Sequence, residues 1–390
     1  MIKLAIISPG FLPVPAVNGG AIEQLITNIL DENEKNHTFD IDVYTINDPK
    51  LSKLNYKYTN IIVIKDLNKK YIAHLFHGVK NWVYKFIYHH KKDTFLGQQF
   101  AKLYKQNFYD AVLVENNMDI FISLLPKLNR EKKYFHLHND FNNGDSAKTV
   151  YKTKIVIKNA DTVITVSSFL EKKLKRLGAT SVKILPNCIE KRKFKNLTLG
   201  EKLKERKKLL LGKKDFVCTY IGRIDRDKGI EEYLNAMLLL KNNPRIKGLV
   251  VGNLNNKYAY NLRDSTKNKN IIFTDYVAND SIYKILAISD CIVIPTQVEE
   301  AFGLVALEAM YMKIPIIASN SGALPDLLSN SGAPVIKRDA NFIKDLAKEI
   351  FRMSNELQKR KWIGNREYDN SQKYPLTQSE YFEKFIDLFY

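Results

Sequence analysis

Short apolar runs alternate with longer amphipathic stretches along most of the chain. The first run, "IKLAIIS" (2–8), leads into a loop rich in proline and glycine. The loop is followed by "AIEQLITNILDENEK" (21–35), where apolar residues recur at helical spacing. Continuous apolar runs of this length are typical of strands that are buried on both faces of a parallel sheet. The pattern therefore predicts a repeated strand, loop and helix unit.

The predicted strands fall into two series, separated by the strongly basic stretch 191–214. The first series comprises 2–8, 41–47, 60–65, 110–116, 133–139, 160–167 and 181–187, and the second 215–222, 246–253, 270–277, 290–296 and 313–320. Two series of this kind predict an α/β protein of two doubly wound, Rossmann-like domains that face each other across a cleft. We place the domains at 1–190 and 191–370, and we expect the final helix, 371–390, to return to the first domain.

Length and charge agree with two domains but leave the partner open. A chain of 390 residues is too long for one ordinary hydrophobic core. Its 61 basic and 42 acidic residues give a net charge of +19. Nucleic acid, an anionic membrane, a polyanionic small molecule or lysine-rich solubility alone could each account for such a charge.

The sequence predicts a cytosolic protein. No apolar run approaches the roughly 18–20 residues of a membrane-spanning helix. The opening "MIKLAIISPGFLPVPAV" is not expected to be a signal peptide, because prolines interrupt it. Cys188, Cys218 and Cys291 are too widely spaced for a disulfide framework or a metal cluster.

The stretch "PTQVEEAFGLVALEAM" (295–310) contains an acidic residue in an unusual setting. Its composition predicts a buried helix that opens near Gly303, yet Glu308 lies within that helix. A buried carboxylate is costly unless it is satisfied, and two ribose hydroxyls would satisfy both of its oxygens. Backbone N–H groups around Phe302 and Gly303 could meet a phosphate, and Glu300 lies in the loop before them.

Two other loops follow predicted strands, where ligands of doubly wound sheets bind. In "YIGRIDRDKGI" (220–230), Arg223 and Lys228 suit a diphosphate, although a solvated turn is an equally good interpretation of the spacing. In "NGGAIEQ" (18–24), Gly19 and Gly20 precede a helix and could bind an anion or form a plain turn. The chain has no G-x-G-x-x-G motif, so a nicotinamide dinucleotide site is disfavoured.

Two further segments have two interpretations each. In "YFHLHND" (134–140), His136 and His138 share one face of a strand, and either could line the cleft or belong to the core. The segment "VKNWVYKFIYHHKKD" (79–93) interleaves aromatic residues with lysines and suits either an anionic membrane surface or internal packing. Its lysines are Lys80, Lys85, Lys91 and Lys92.

Together these motifs resemble retaining glycosyltransferases of family 4, the group 1 glycosyltransferases with the two-domain GT-B fold. The resemblance runs from "NGGAIEQ" to "SNSGALPDLL" (319–328), and its most specific part is the pair Glu300 and Glu308. The chain departs from the family pattern at Cys188, Asp275 and Ala301, where glycine is usual.

The resemblance implies a role for each motif. Arg223 and Lys228 would stabilise the departing nucleoside diphosphate, so that neither a metal nor a cofactor is expected. Glu300 would contact the transferred sugar, Glu308 would bind the ribose, and His138, with His136 as the fallback, would meet the acceptor or the donor sugar. The remaining donor-binding residues are Gly19, Gly20, Asn187, Val277, Phe302, Gly303 and Leu304.

The implied function is transfer of a sugar, with retention of configuration, from a nucleotide sugar, expected to be UDP-linked, to a glycan or lipid-linked acceptor. Capsule or exopolysaccharide synthesis on the inner face of the plasma membrane is the expected setting. Two alternatives stay open. One is a GT-B nucleotide-sugar epimerase, which needs no acceptor, and the other is a basic nucleic-acid-binding protein. Nucleic acid is not the expected partner, because the chain lacks the aromatic and basic motifs of known binding modules.

Overall fold

The computed structural model describes residues 1–64, 95–141 and 146–390, which form two compact units. Unit 1 comprises Met1–Pro186 together with Gln378–Tyr390, and unit 2 comprises Asn187–Thr377. The segment 79–93, with its predicted membrane contact, lies outside the described residues. No helix among those described is long and apolar enough to cross a bilayer.

Unit 1 is built on a seven-stranded sheet in the order β3-β2-β1-β4-β5-β6-β7, and every neighbouring pair is parallel. Its strands are β1 Ile2–Ile7, β2 Phe39–Ile46, β3 Thr59–Ile64, β4 Ala111–Glu115, β5 Lys132–Leu137, β6 Thr162–Thr165 and β7 Val182–Ile184. Its described helices are α1 Ala21–Asn36, α2 Phe95–Leu103, α3 Met118–Leu124, α4 Ser146–Asn159 and α5 Ser168–Arg176.

Unit 2 is built on a six-stranded parallel sheet in the order β10-β9-β8-β11-β12-β13. Its strands are β8 Phe216–Ile221, β9 Ile246–Val251, β10 Ile271–Thr274, β11 Cys291–Ile294, β12 Ile316–Ser319 and β13 Val335–Ile336. Its helices are α6 Leu199–Lys208, α7 Ile230–Leu239, α8 Lys257–Ser265, α9 Ile282–Ile288, α10 Leu304–Tyr311, α11 Leu324–Leu327, α12 Phe342–Asn355 and α13 Leu357–Ser371.

The strand and helix pattern of the sequence corresponds closely to these elements. All twelve predicted strands are present in the two sheets, and α1 spans 21–36 where the periodicity predicts 21–35. One strand was missed, because β13 has only two residues, Val335 and Ile336, which is too short to show a period.

The division between the units differs slightly from the predicted domain boundary at 190. The backbone of Ile189 donates to Pro375 O (3.3 Å) and that of Lys191 to Leu376 O (2.8 Å). These bonds tie the residues from Asn187 onward to unit 2, which extends to Thr377 rather than to 370.

The last helix, α14 (Gln378–Ile386), packs on the first helix and sheet of unit 1. Gln378 donates to Asn28 (2.9 Å), and Ser379 to Glu32 (3.0 Å), both on α1. The ring of Phe39 on β2 makes edge contacts with three rings of the C-terminal segment, those of Phe382, Phe385 and Phe389. The aromatic burial explains why this terminal helix belongs to unit 1 although it follows unit 2 in the chain.

Candidate functional site

In unit 2, Asp225 organises the loop after β8 that carries Arg223 and Lys228. Asp225 pairs with Arg223 (3.0 Å), and its other oxygen accepts a hydrogen bond from the backbone N–H of Lys228 (3.0 Å). The chain then passes Gly229, where φ is +73°, into α7. A Cβ at this position would lie 1.9 Å from Pro295 O, so only glycine allows the loop after β8 to approach the loop after β11.

The two loops are joined by an ion pair between predicted site residues. Lys228 Nζ lies 2.7 Å from Glu300 Oε2, and both side chains are largely buried. The backbone also joins the loops, since Gln297 N donates to Asp227 O (2.8 Å). The structure therefore brings Arg223, Lys228 and Glu300 together at the carboxyl edge of the sheet, where doubly wound folds bind ligands.

Glu299, next to this pair, has a structural role that the sequence did not reveal. One of its oxygens pairs with Arg338, and the other accepts from Gly322 N (2.5 Å). Arg338 also donates to Gln297 O (2.6 Å). These bonds fix the loop that carries Glu300, so Glu299 and Arg338 position that residue.

The helix predicted near Gly303 is α10, and Gly303 is its N-cap residue, with φ at +98°. Phe302 is buried against the Tyr374 ring, with ring centroids 5.6 Å apart, and Leu304 begins the helix. Glu308 is partly buried on α10, and no described residue donates a hydrogen bond to its carboxyl group. Burial raises the pKa of Glu308 to about 7, against the opposing charge of Lys193. Among the described residues, this carboxyl is therefore a partly buried acceptor without a hydrogen-bond donor.

Two further predicted donor contacts lie elsewhere in unit 2. Asn187 is its first residue and is buried, and among the described residues its Oδ1 has no hydrogen-bond partner. Val277 packs beside the apolar cluster that includes Leu249 and Ile282, in the loop beyond β10. Val277 thus packs against the apolar residues beneath this loop.

In unit 1, Gly19 and Gly20 form the entrance to α1, and both have positive φ values, of 80° and 99°. A Cβ at Gly20 would lie 2.1 Å from Glu23 Oε2, whereas a Cβ at Gly19 would meet no atom within 4 Å. Burial raises the pKa of Glu23, and the charge of Glu115 raises it further. Gly20 is therefore required by the packing of Glu23, and Gly19 is the more open of the two.

His136 and His138 lie on the same side of β5 and its end, as the alternation predicts, and both contact one carboxylate. Glu115 Oε2 is 3.1 Å from His136 Nδ1 and 2.7 Å from His138 Nε2. All three side chains are buried. The sequence does not decide which histidine faces the cleft. In the structure both rings contact Glu115, a residue that the sequence analysis does not name. A signal existed, because Glu115 is the polar end of an otherwise apolar strand.

Burial and the contacts within the Glu115, His136 and His138 cluster both shift the pKa values of its members. Burial alone would raise the pKa of Glu115, but attraction to His136 and hydrogen bonds from both rings outweigh it and lower the pKa to about 2. Burial and repulsion from His136 lower the pKa of His138 to about 4, against the pull of Glu115. At neutral pH the carboxyl is thus ionised and His138 is neutral, with Nε2–H donating to Glu115.

Among the described residues, this cluster is the group whose side chains could ligate a metal, with ligand atoms within 4.8 Å of one another. Two imidazoles and a carboxylate suit zinc or iron. However, metal-bound histidines almost always donate their other ring N–H to a partner, and His136 Nε2 and His138 Nδ1 have no partner in the described structure. The direct hydrogen bonds explain the cluster without an ion.

The cluster should make the protein sensitive to acid. The pKa of His138 is about 4 in the folded protein, below its ordinary 6.5, so the unfolded chain takes up a proton that the native state does not. The free energy of unfolding should therefore fall as the pH drops from about 6.5 to 4, and Glu115 should add a loss between about 4.5 and 2. The free energy of unfolding, measured with urea at a series of pH values, should change less steeply between pH 6.5 and 4 in His138→Gln than in wild type. The matched variant His37→Gln, outside the cluster, should keep the wild-type slope, and an unchanged slope in His138→Gln would contradict this role of His138.

Comparisons with known proteins identify relatives of this chain. Residues 201–369 match the family model described as glycosyl transferases group 1. The chain is 30% identical over 208 residues to the capsular polysaccharide biosynthesis glycosyltransferase CapM of Staphylococcus aureus, which is 52% of each chain. It is 25% identical to spore coat protein SA of Bacillus subtilis, over 93% of this chain and 92% of that one. The match therefore spans about half the length of CapM and most of the spore coat protein.

Solved structures share the fold over nearly the whole chain. Anabaena Alr3699/HepE, in complex with UDP-glucose, superposes with a TM-score of 0.72 at 17% identity and covers 100% of this chain and 99% of its own. Sucrose-phosphate synthase from Thermosynechococcus elongatus gives 0.72 at 19% identity, over 99% of both chains. At these identities the likeness shows the fold, which is the predicted GT-B fold of two Rossmann-like domains.

Proposed function

Because this chain carries a group 1 glycosyl transferase domain on a GT-B fold, we propose that it is a retaining glycosyltransferase of family 4. Its substrate would be a nucleotide sugar, with UDP as the expected nucleotide, since a structural neighbour binds UDP-glucose. Its acceptor would be a glycan or a lipid-linked sugar. Relatives named for capsular polysaccharide, teichuronic acid and lipopolysaccharide synthesis support a role in cell-surface glycan assembly.

The observation that carries the proposal is the group of charged side chains at the carboxyl edge of unit 2. Lys228 and Glu300 form an ion pair there, Arg223 lies in the same loop as Lys228, and Glu308 lies on the helix that begins just after Glu300. All four residues fall inside the matched range 201–369. Two cations, a helix start and an unpartnered carboxyl are the groups needed to bind a diphosphate and a ribose.

The resting ion pairs suggest how a donor would be accommodated. Lys228 is held by its ion pair with Glu300, whereas Arg223 pairs with Asp225 but keeps a largely exposed side chain that is free to turn toward a ligand. A bound diphosphate would compete with Glu300 for the ammonium of Lys228, which would free the Glu300 carboxylate to accept from hydroxyls of the transferred sugar. The cations would then stabilise the charge that develops on the departing diphosphate.

His138 of unit 1 would contribute as a neutral group. Its Nε2–H is held by Glu115, which leaves the lone pair of Nδ1 as a fixed acceptor for a sugar hydroxyl. Gly19, the more open glycine at the entrance to α1, would lie against the diphosphate. We further propose that the enzyme acts in the cytoplasm, at the inner face of the plasma membrane, where a lipid-linked acceptor is available.

Catalysis should not require a divalent metal, because Arg223 and Lys228 supply the positive charge that a metal provides in other transferases. Turnover measured in excess EDTA is expected to equal that of untreated enzyme. Complete loss of activity that magnesium or manganese restores would contradict this mechanism.

A thermal-shift screen across nucleotide sugars, followed by product analysis, tests the function. One nucleotide sugar should raise the melting temperature, because a ligand that binds only the native state stabilises it. With that donor, release of nucleoside diphosphate should depend on an added acceptor. Conversion of the donor in the absence of acceptor would instead identify an epimerase. Absence of any nucleotide-sugar binding, together with a salt-dependent shift of DNA, would overturn the proposal in favour of nucleic-acid binding.

A further inference from the structure

The amino edge of the sheet in unit 2, opposite the candidate donor site, is strongly basic. Strands β10, β9 and β8 are neighbours and parallel, so the three loops that enter them lie side by side, with the strands about 4.8 Å apart. The exposed basic residues at this edge are Lys207 and Lys208 in the last turn of α6, Lys213 and Lys214 before β8, Lys241 and Arg245 before β9, and Lys267 and Lys269 before β10.

Acidic side chains offset little of this charge. Of the described residues, three carboxylates lie near the eight cations: Glu205, which pairs with Lys208 (2.7 Å), Asp215, which accepts from Gly212 N (2.7 Å), and the exposed Asp264. At the start of β11, Asp290 is neutralised by two arginines, Arg206 of α6 (2.7 Å) and Arg360 of α13 (3.2 Å). The edge therefore presents a continuous excess of positive charge.

Large apolar side chains stand among these cations. Leu210 is 91% exposed, and Leu238 and Leu239, at the end of α7, are 50% and 58% exposed. A groove of about 920 Å³ runs beside Leu238 and has a mixed lining. Leu234, Pro244 and Leu262 contribute apolar surface, and asparagines, lysines and Glu231 contribute polar groups. Large apolar side chains that are grouped and exposed are unfavourable in water and usually mark an interaction surface.

We propose that this amino edge of unit 2, centred on the cations around Leu210 and Leu238, docks on an anionic lipid bilayer. Lysines at such a surface are attracted to acidic headgroups, while the leucines gain free energy by entering the apolar layer below. The exposed leucines favour a bilayer over nucleic acid, because a phosphate backbone offers lysines a partner but offers leucine side chains none.

The position of this surface is compatible with catalysis at the other edge. Strands of four to six residues separate the two edges by roughly 13–20 Å. Docking at the amino edge would therefore leave Arg223, Lys228 and Glu300 uncovered. The proposal does not depend on sugar transfer, since vesicle binding is measured without a nucleotide sugar.

Co-sedimentation of the full chain with vesicles of phosphatidylglycerol and phosphatidylcholine tests the proposal. Replacing Lys207, Lys213, Lys214 and Lys269 together by Gln is expected to weaken binding at low salt about tenfold or more. The matched control replaces Lys257, Lys344, Lys348 and Lys373 by Gln, which removes the same charge from exposed positions of unit 2 outside these loops. This control should bind vesicles nearly as well as wild type.

Further variants distinguish lipid docking from general binding of polyanions. Leu210→Ser combined with Leu238→Ser should also weaken vesicle binding, because leucine side chains gain free energy by entering the apolar layer of a bilayer and gain none from a polyanion. If that variant binds as well as wild type and duplex DNA displaces the protein from vesicles, the surface binds polyanions and lipid docking is wrong. Equal losses in both lysine variants, or no sedimentation of wild type at low salt, would also overturn the proposal. Loss confined to a variant with Gln at Lys80, Lys85, Lys91 and Lys92 would assign docking to segment 79–93 instead.

Discussion

Lys228→Ala and Arg223→Ala are each expected to lower kcat about 100-fold, the typical cost of removing one group that stabilises charge in a transition state. In the proposed reaction, both cations face the departing diphosphate, whose charge grows as the sugar leaves. The loss should appear in kcat and in kcat/KM alike, because this stabilisation is greatest in the transition state. Steady-state kinetics with the donor found in the thermal-shift screen will measure it.

Arg226→Ala is the matched control for these variants. Arg226 lies in the same loop but pairs with Glu231 (3.2 Å) and lies over the Tyr258 ring, and it is not assigned to the donor site. Its variant should keep near-normal kcat, whereas near-normal rates in both Arg223→Ala and Lys228→Ala would remove the diphosphate site. A comparable loss in Arg226→Ala would instead indicate a general effect of charge in the loop.

Lys228→Ala also leaves Glu300 without its ion-pair partner, so this variant needs a second test. A double-mutant cycle with Glu300→Gln separates the two effects. If Lys228 acted only by holding Glu300, its removal would cost little once Glu300 had become an amide. We expect a further loss in the double variant, because Lys228 is proposed to contact the donor itself.

The two sheets could be predicted from the sequence because each strand has its own local pattern of apolar residues. Buried parallel strands are continuous apolar runs, so the strands of three or more residues could be recognised singly and grouped into two sheets. The two-residue strand β13 and the boundary at Pro186 could not be predicted, since both depend on contacts between distant residues. Ile189 and Lys191, for example, belong to unit 2 because their backbones bond to Pro375 and Leu376.

The candidate site was predictable to the extent that its residues follow strand ends. Arg223, Lys228 and Glu300 could be nominated because the carboxyl ends of parallel strands meet at one edge. Their supports could not, since Arg338 pairs with Glu299 across 39 residues of sequence, and Glu115 meets His136 only through the register of β4 and β5. Sequence spacing shows which elements exist, while such partners are set by how the elements pack.

Glu308→Gln is expected to weaken binding of the nucleotide sugar by about 10–100-fold, the range for a hydrogen bond to a charged group. The amide keeps the shape of the side chain but accepts hydrogen bonds less strongly than a carboxylate. The change should not harm folding, because no described residue depends on this carboxyl as an acceptor. Isothermal titration with the donor or with its nucleoside diphosphate will measure the change in affinity.

The pH dependence of binding gives this role a signature that a loss of packing would not produce. Since burial raises the pKa of Glu308 to about 7, the free protein holds a proton there at lower pH, and ribose hydroxyls must compete with it. Donor affinity of wild type should therefore rise between about pH 6 and 8, and the Gln variant should lose this rise.

As the pH rises, the contribution of Glu308 to the stability of the ligand-free protein should fall, whereas donor affinity should rise. A carboxyl with a raised pKa favours the folded state at low pH, and this contribution is lost as pH rises from 4.5 to about 7. Glu308→Gln should thus be at least as stable as wild type at pH 8, while it binds donor more weakly.

Glu367→Gln is the matched control, because this buried carboxyl of α13 accepts from Ile316 N (3.2 Å), a bond that an amide oxygen preserves. It should leave donor affinity and its pH profile unchanged. If Glu308→Gln binds the donor as tightly as wild type does, Glu308 does not bind the ribose, because loss of the carboxylate would then have cost no affinity.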